Sequence, residues 1–406
     1  MRMQLKLLFI ATFCVLTSLS MAQDSTKISV NLDDIEISFL TSYYIQDGNH
    51  SPVTGGVGTE KLTNIAPSIV LNVPISASHS ISLSGGVDYY TSASSDNINN
   101  PYLSENHVSS ASASDTRKYF TLGYKNKHTK SNTATGVSIG GSIEFDVVSI
   151  QVGTSFEKSS KDHNRSIGIK ASYYHDDWKL IYPIELRNGE QQYLNTNIRH
   201  TANLSTTGAF VLTTRLQVAL TLDLVYQQGL LSTPFHRVYF QDHGQVRVEQ
   251  LPEDRFKVPV GFRLNYAITD WLKIRSHYRI YWDSWNMIGN TIKIEFPIKI
   301  ANVVRLYPFY RFHHQTGTSY FKTRGQHVST DEFYTSDYDL SGLTSHKYGL
   351  GLSITPVFGI FRWKGPFRKQ KVNMLKSIDL RYARYNRSDG LNANVWTIGI
   401  NFTIDR

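Results

Sequence analysis

The chain has 406 residues, with 42 Lys and Arg against 33 Asp and Glu, a formal net charge of +9 and a single cysteine. One cysteine excludes a disulfide framework and a Cys-ligated metal centre. No run of about 18 apolar residues follows the N-terminal region, which excludes a transmembrane helix and leaves any crossing of a membrane to strands.

The N-terminus reads as a secretory signal over residues 1–22. Arg2 and Lys6 form a basic n-region, Leu7 to Leu19 an apolar h-region, and Ser20-Met21-Ala22 a small-residue cleavage site. Cys14 lies inside the h-region without a lipobox, so no lipid anchor is expected. Loss of Arg2 and Lys6 would lower the formal charge from +9 to +7. Residues 23–406 then read as one domain, because barrels grow by adding strands rather than domains.

Alternation at period two runs through nearly all of that domain, and it means strands, since successive side chains leave opposite faces of a pleat. Ile35, Ile37, Phe39 and Tyr43 mark the first strand, Ile69, Leu71 and Val73 the second, and Ile81, Leu83, Val87 and Tyr89 the third. Further strands are expected at 117–126, 133–144, 146–158, 165–176 and 193–206. In 211–228, Leu212, Leu216, Val218, Leu220, Leu222, Leu224 and Tyr226 oppose Arg215, Gln217, Thr221 and Asp223. From Lys257 to Gln315 the charges obey a parity rule. Even positions such as Val260, Phe262, Ile280, Ile292 and Tyr310 are apolar or neutral, while Arg263, Lys273, Arg275, Arg279, Lys293, Arg305 and Arg311 sit at odd positions. Strands at 345–358, 374–386 and 392–404 complete the chain.

A sheet with one apolar and one charged face fits either a large sandwich or a barrel in lipid. A Lys or Arg on the lipid face costs about 2–4 kcal/mol at mid-bilayer, enough to enforce so clean a parity. Connection lengths decide for the barrel. With the first strand running upward, the upper connections at 46–63, 91–116, 176–192, 229–255 and 316–344 are long and three others short. The lower ones, near 76–78, 127–132, 159–164, 207–210, 269–270 and 301, are tight, with only 359–373 long. Tyr43-Tyr44, Tyr89-Tyr90, Tyr173-Tyr174 and Tyr281-Trp282 fall at the upper ends of upward strands, where an aromatic girdle belongs. The expected fold is all-β, a single transmembrane antiparallel β-barrel of about 16 strands, within about 14–18.

Several stretches carry a resemblance to a known family: Ser92-Ala93-Ser94-Ser95-Asp96, the run 110–117, Gly229-Leu230-Leu231-Ser232-Thr233-Pro234-Phe235, and Glu249-Gln250-Leu251-Pro252-Glu253-Asp254-Arg255. Others are Tyr278-Arg279-Ile280-Tyr281-Trp282-Asp283-Ser284-Trp285, Pro308-Phe309-Tyr310-Arg311-Phe312 and Asp337-Tyr338-Asp339-Leu340-Ser341. In these the chain resembles the Bacteroidota and proteobacterial outer-membrane barrels catalogued as a domain of unknown function. Their genes tend to lie beside those of a thioredoxin-like protein and an FAD:protein FMN transferase. The resemblance covers most of residues 23–406 and implies an outer-membrane barrel linked to exported redox or flavin proteins. It assigns no activity and names no site residue.

Among candidates for chemistry, the basic face comes first. Arg263, Lys273, Arg275, Arg279, Lys293, Arg305 and Arg311 would attract anions into a lumen, or else pair with carboxylates such as Asp223, Glu295 and Asp379 and fill it. Asp337-x-Asp339-x-Ser341-Gly342 matches the first half of a calcium loop, but Tyr348 stands where the bidentate Glu belongs, so turn capping is the simpler expectation. His313 and His314 are adjacent and would face opposite ways. His277 shares the lumen parity with His313 without a third ligand. Ser276 has the outward parity but no outward His to partner it.

No phosphate-binding loop precedes a helix, and the basic residues interleave with lipid-facing ones, which argues against nucleic acid. No catalytic residue, cofactor or metal is expected. The expectation is a non-enzymatic barrel in the outer membrane of a Gram-negative bacterium, a channel or binding barrel for small anionic solutes. The alternative is a scaffold with a filled lumen that holds a periplasmic or surface partner through the basic segment 361–372.

Overall fold

The computed structural model describes residues 34–91, 114–186, 195–242, 244, 246–365 and 368–405, so the signal reading at 1–22 and the quoted stretch 92–96 lie outside the described residues. Alternating sequence becomes strand nearly everywhere else. In order they are β1 (Ile35–Asp47), β2 (Leu62–Pro74), β3 (His79–Thr91), β4 (Ser114–His128), β5 (Thr133–Ile143), β6 (Val147–Ser159) and β7 (Arg165–Lys179). Then follow β8 (Thr196–Val211), β9 (Leu216–Gly229), the short pair β10 (Arg237–Tyr239) and β11 (Val246–Val248), β12 (Asp254–Ala267) and β13 (Lys273–Asp283). The last are β14 (Ile288–Glu295), β15 (Ile298–Lys299), β16 (Val304–Gln315), β17 (Leu343–Ile354), β18 (Phe361–Gly365), β19 (Arg368–Arg387) and β20 (Asn392–Ile404).

Each long strand pairs antiparallel with its neighbours, and β1 pairs with β20 from Ile35↔Ile404 to Asp47↔Asn392, which closes the sheet into a barrel of 16 strands. β15 continues β14 beyond an interruption at Phe296-Pro297, and β18 is an extra strand hydrogen-bonded to the start of β19. Closure removes the bare edges that an open sheet presents.

The barrel is inside out. Phe39 pairs with Ile69 and Leu83 with Leu122 along the outer face, as does Val152 with Ile139 and Tyr173 further round, and these side chains stay exposed. Only hydrocarbon satisfies such a belt. Tyr43, Tyr89, Tyr173 and Trp282 lie on it near the long-loop end, where Tyr43 and Tyr382 flank Trp396 at centroid distances of 5.7 and 5.5 Å. Outward polar groups on the belt find tyrosine hydroxyls: Tyr278 donates to Asn290 and Tyr382 to Asn394 at 2.9 Å, while His200 and His346 lie 2.7 Å from Tyr173 and Tyr310. A polar atom facing lipid without a partner would cost several kcal/mol, about 2–7, so these pairs are what the belt tolerates.

Two segments differ from the sequence reading. The turn expected at 207–210 lies at 212–215, where Leu212 N donates to Leu216 O at 2.9 Å. Leu212 keeps the outward parity through the turn, so the alternation gives no sign of the break. The long lower connection 359–373 is largely a hairpin, with Phe361↔Leu375 and Trp363↔Asn373 in register.

Candidate functional site

All the cations singled out by parity face the bore. Arg263 lies on β12, Lys273, Arg275 and Arg279 on β13, Lys293 on β14, and Arg305 and Arg311 on β16, each on the face opposite the apolar belt. Lys347 and Arg381 extend the same face onto β17 and β19, since Arg311 pairs with Lys347 and Gly351 with Arg381. The odd parity of both residues continues the pattern and is the signal that would have found them.

One carboxylate serves this wall. Glu295 accepts from Lys293 at 3.1 Å, from Arg275 at 3.3 Å and from Arg381, and it is buried among them. Asp223 and Asp379, the other expected partners, form no ion pair among the described residues, and Asp379 bonds instead to Ser377 and Asn401. Arg263, Lys273, Arg279, Arg305 and Arg311 are likewise without an ion pair. Direct cross-strand neighbours stand about 5 Å apart, where two like charges repel by about 0.8 kcal/mol even in water. The wall therefore carries positive charge that its own carboxylates do not offset.

On the opposite wall β3 and β5 present small neutral residues, while β4 between them carries Arg117, Tyr119 and Lys125. Ser80, Ser82, Ser84 and Gly86 on β3 and Gly136, Ser138, Gly140 and Ser142 on β5 face the bore. Barrels of this strand number are wide enough to enclose water unless side chains or loops fill them.

The long-loop end carries a folded cap that sequence reasoning missed. β1 and β9 stand eight strands apart either way round the ring, yet the loops that follow them touch. The fully buried Arg237 donates to Val53 O at 2.6 Å and to Glu185 Oε1 at 2.5 Å, joining the loops after β1, β7 and β9. Gly55, at φ +77°, leaves room for the Tyr239 ring, which a Cβ would meet at 2.6 Å. Val238, Phe240 and Tyr334 form a small core, and Arg324 donates to Thr54 O at 2.8 Å. Loops rooted on opposite walls can meet only by crossing the bore. The quoted stretches 249–255, 278–285 and 337–341 come together at this end: Gln250 pairs with Tyr334, and Asp283 accepts from Arg255, Tyr281, Trp285 and Met287. Asp337 accepts from Asp339 N at 2.9 Å and Ser341 donates to Tyr338 O, so the half-calcium motif caps a turn.

His236 Nδ1 lies 2.8 Å from Glu249 and 4.0 Å from Asp337, at the junction of the loops after β9 and β16. Burial would pull this imidazole down, but the two carboxylates outweigh it and leave it above its usual 6.5. Burial pushes the Asp337 carboxyl up to about 6 against the pull of His236. Among the described residues one acidic group could hold a cation, Asp115 with Glu144 and Asp146. Arg117 and Tyr90 already engage Glu144 at 3.4 and 3.0 Å. His313 faces the bore and bonds Thr291 and Gln315, while His314 lies on the outer face, so the pair shares no ligand.

Residues 5–364 match a family described as protein of unknown function (DUF3570). No curated protein matches the chain. Among solved structures it is similar to a bacterial polysaccharide outer membrane secretin, at 9% identity and TM-score 0.46, over 93% of this chain and 99% of that one. It is also similar to the siderophore receptor PirA of Acinetobacter baumannii, at 10% identity and TM-score 0.44, over 90% of this chain and 54% of that one. A third is OccK1 (OpdK) of Pseudomonas aeruginosa, at 8% identity and TM-score 0.39, over 91% and 98% of the two chains.

Proposed function

The chain belongs to this family of proteins of unknown function, membership brings no activity with it, and we propose that the protein is an outer-membrane barrel that admits small anions into a basic lumen. One observation carries the reading: a wall holding Arg263, Lys273, Arg275, Arg279, Lys293, Arg305 and Arg311 has Glu295 as its one ion-paired carboxylate. Rings of like charge set the selectivity of pores. In this reading the cap at the long-loop end limits passage to small solutes, and the short turns at the other end support a periplasmic position for it. The reading is of non-enzymatic passage across the Gram-negative outer membrane, with the barrel seated in lipid.

In a planar bilayer the wild-type barrel is expected to prefer chloride to potassium, and Arg263→Glu with Arg311→Glu to weaken or reverse the preference. A cation-selective wild type would sink the reading. A barrel with no conductance would favour the second one, a scaffold with an occluded lumen. That reading draws support from the β18–β19 hairpin at the short-turn end, where Val357, Phe358 and Phe361 stand exposed beside Arg362. A partner retained through those residues would separate the two.

A further inference from the structure

The basic wall is not uniform. Five inward side chains form one unbroken row across paired strands: Arg263 faces His277, His277 faces Lys293, Lys293 faces Arg311, and Arg311 faces Lys347. Arg279 stands two residues above His277 on the same face of β13. Strands tilted by about 40° carry such a row along the barrel axis by roughly 3 Å per strand, so it climbs the bore. His277 lies at its most crowded point, with Arg263, Arg279, Lys293 and Arg311 all within electrostatic range of the ring.

Two histidines face the bore from strands. His313 spends its ring nitrogens on Thr291 and Gln315, at 2.8 and 3.0 Å. His277 has no hydrogen-bond partner among the described residues, and beside its Nε2 stands Gly261, where even a Cβ would lie 3.5 Å away. The guanidinium groups of Arg263, Arg279 and Arg311 are free of carboxylates as well. Each carries five donors and cannot lose its charge.

We infer that His277 with Arg263, Arg279, Lys293 and Arg311 forms a discrete binding site for a tetrahedral dianion of the phosphate class, deepening the anion reading on which it rests. The forks come from three different strands, β12, β13 and β16. A planar carboxylate offers its oxygens in one plane and satisfies one or two forks. A tetrahedral ion presents oxygens to all three, and a neutral imidazole can donate to an oxygen or accept from a protonated one. Lys293, shared with Glu295, completes the charge.

Titration calorimetry on the mature chain in detergent micelles at pH 8 tests this without needing an open bore. Inorganic phosphate and sulfate should bind with similar affinity, and oxalate, a planar ion of the same charge, at least about tenfold more weakly. Arg263→Gln with Arg311→Gln should weaken phosphate by at least about tenfold, while Lys127→Gln on β4 should not. Glycerol 3-phosphate binding as tightly as the free ion would extend the site to phosphate monoesters, and weaker binding would confine it to inorganic phosphate. Equal affinity for oxalate, undiminished binding by the double variant, or no binding above chloride would overturn the inference. The oxalate comparison uses the unaltered chain, so it stands even where the double variant fails to fold. Anion-selective conductance without a phosphate preference would defeat this inference alone, whereas cation selectivity would defeat the reading beneath it.

Discussion

Two arcs of one closed sheet face the same water and have solved different problems. On β3, β5 and β6 the inward positions are largely Ser and Gly, and the cations Arg117 and Lys125 on β4 between them are matched to Glu144 and Glu157 at 3.4 and 2.8 Å. From β12 to β17 many inward positions are large cations, and most of these have no carboxylate among the described residues. The outer faces of the two arcs are alike, apolar and aromatic. Lipid thus dictates one face equally everywhere, while the lumen face is free to differ, and there the asymmetry is strong. Unpaired cations on one side and smaller or ion-paired side chains on the other make the bore asymmetric.

The sharpest way to break that contrast is to fill the empty side. Ser138→Trp with Ser155→Trp places two indoles on β5 and β6, opposite the cations. Single-channel conductance should fall at least about twofold with the ion preference retained. An unchanged conductance would mean that the path does not run there.

A smaller effect is expected from Glu295→Gln, which removes the carboxylate shared by Arg275, Lys293 and Arg381. Three cations lose their partner, but all border water, so the cost should be on the order of 1–3 kcal/mol rather than that of a dry buried pair. Thermal unfolding in detergent should shift down while anion preference rises. A more stable variant would show that Glu295 itself carries the strain.

The mildest test leaves both walls alone and works on the cap. Asp337, raised from 3.8 to about 6, and His236, raised above 6.5, both hold protons more tightly when the cap is folded. Cap stability should therefore fall as pH rises, first between 3.8 and about 6 and then above 6.5 as His236 deprotonates. Hydrogen exchange in 316–342 should be faster at pH 8.5 than at pH 5.5 after correction for intrinsic rates, with the strands unaffected. Equal protection would remove His236 from the cap's stability.

Parity made the barrel legible, because a charge facing hydrocarbon is costly enough to be excluded at almost every outward position. The same rule placed every cation from Arg263 to Arg311 on the correct face. It could not see the turn at 212–215, since Leu212 stays in phase, nor the β18–β19 hairpin, whose basic residues break no rule outside lipid. The cluster of Asp115 with Asp146 was within reach. Lys118 pairs with Ile143, and extending that register sets the two acids opposite each other. The cap was not, because Arg237, His327 and Tyr334 meet through irregular loops that have no period.

The seam between β1 and β20 bears on how the molecule is made. Almost every other strand pair joins chain neighbours and needs only a short loop to form, whereas Ser38 meets Asn401 across 363 residues. Closing a flexible loop of that length costs about 5 kcal/mol in chain entropy, so neighbouring hairpins should accumulate before the ring shuts. Until it does, β1 and β20 each expose a full row of unpaired amides and carbonyls, which hydrocarbon does not accept. Insertion and closure are therefore one kinetic event, and the rate at which this barrel matures should respond most to changes along thirteen residues at each end of the sheet.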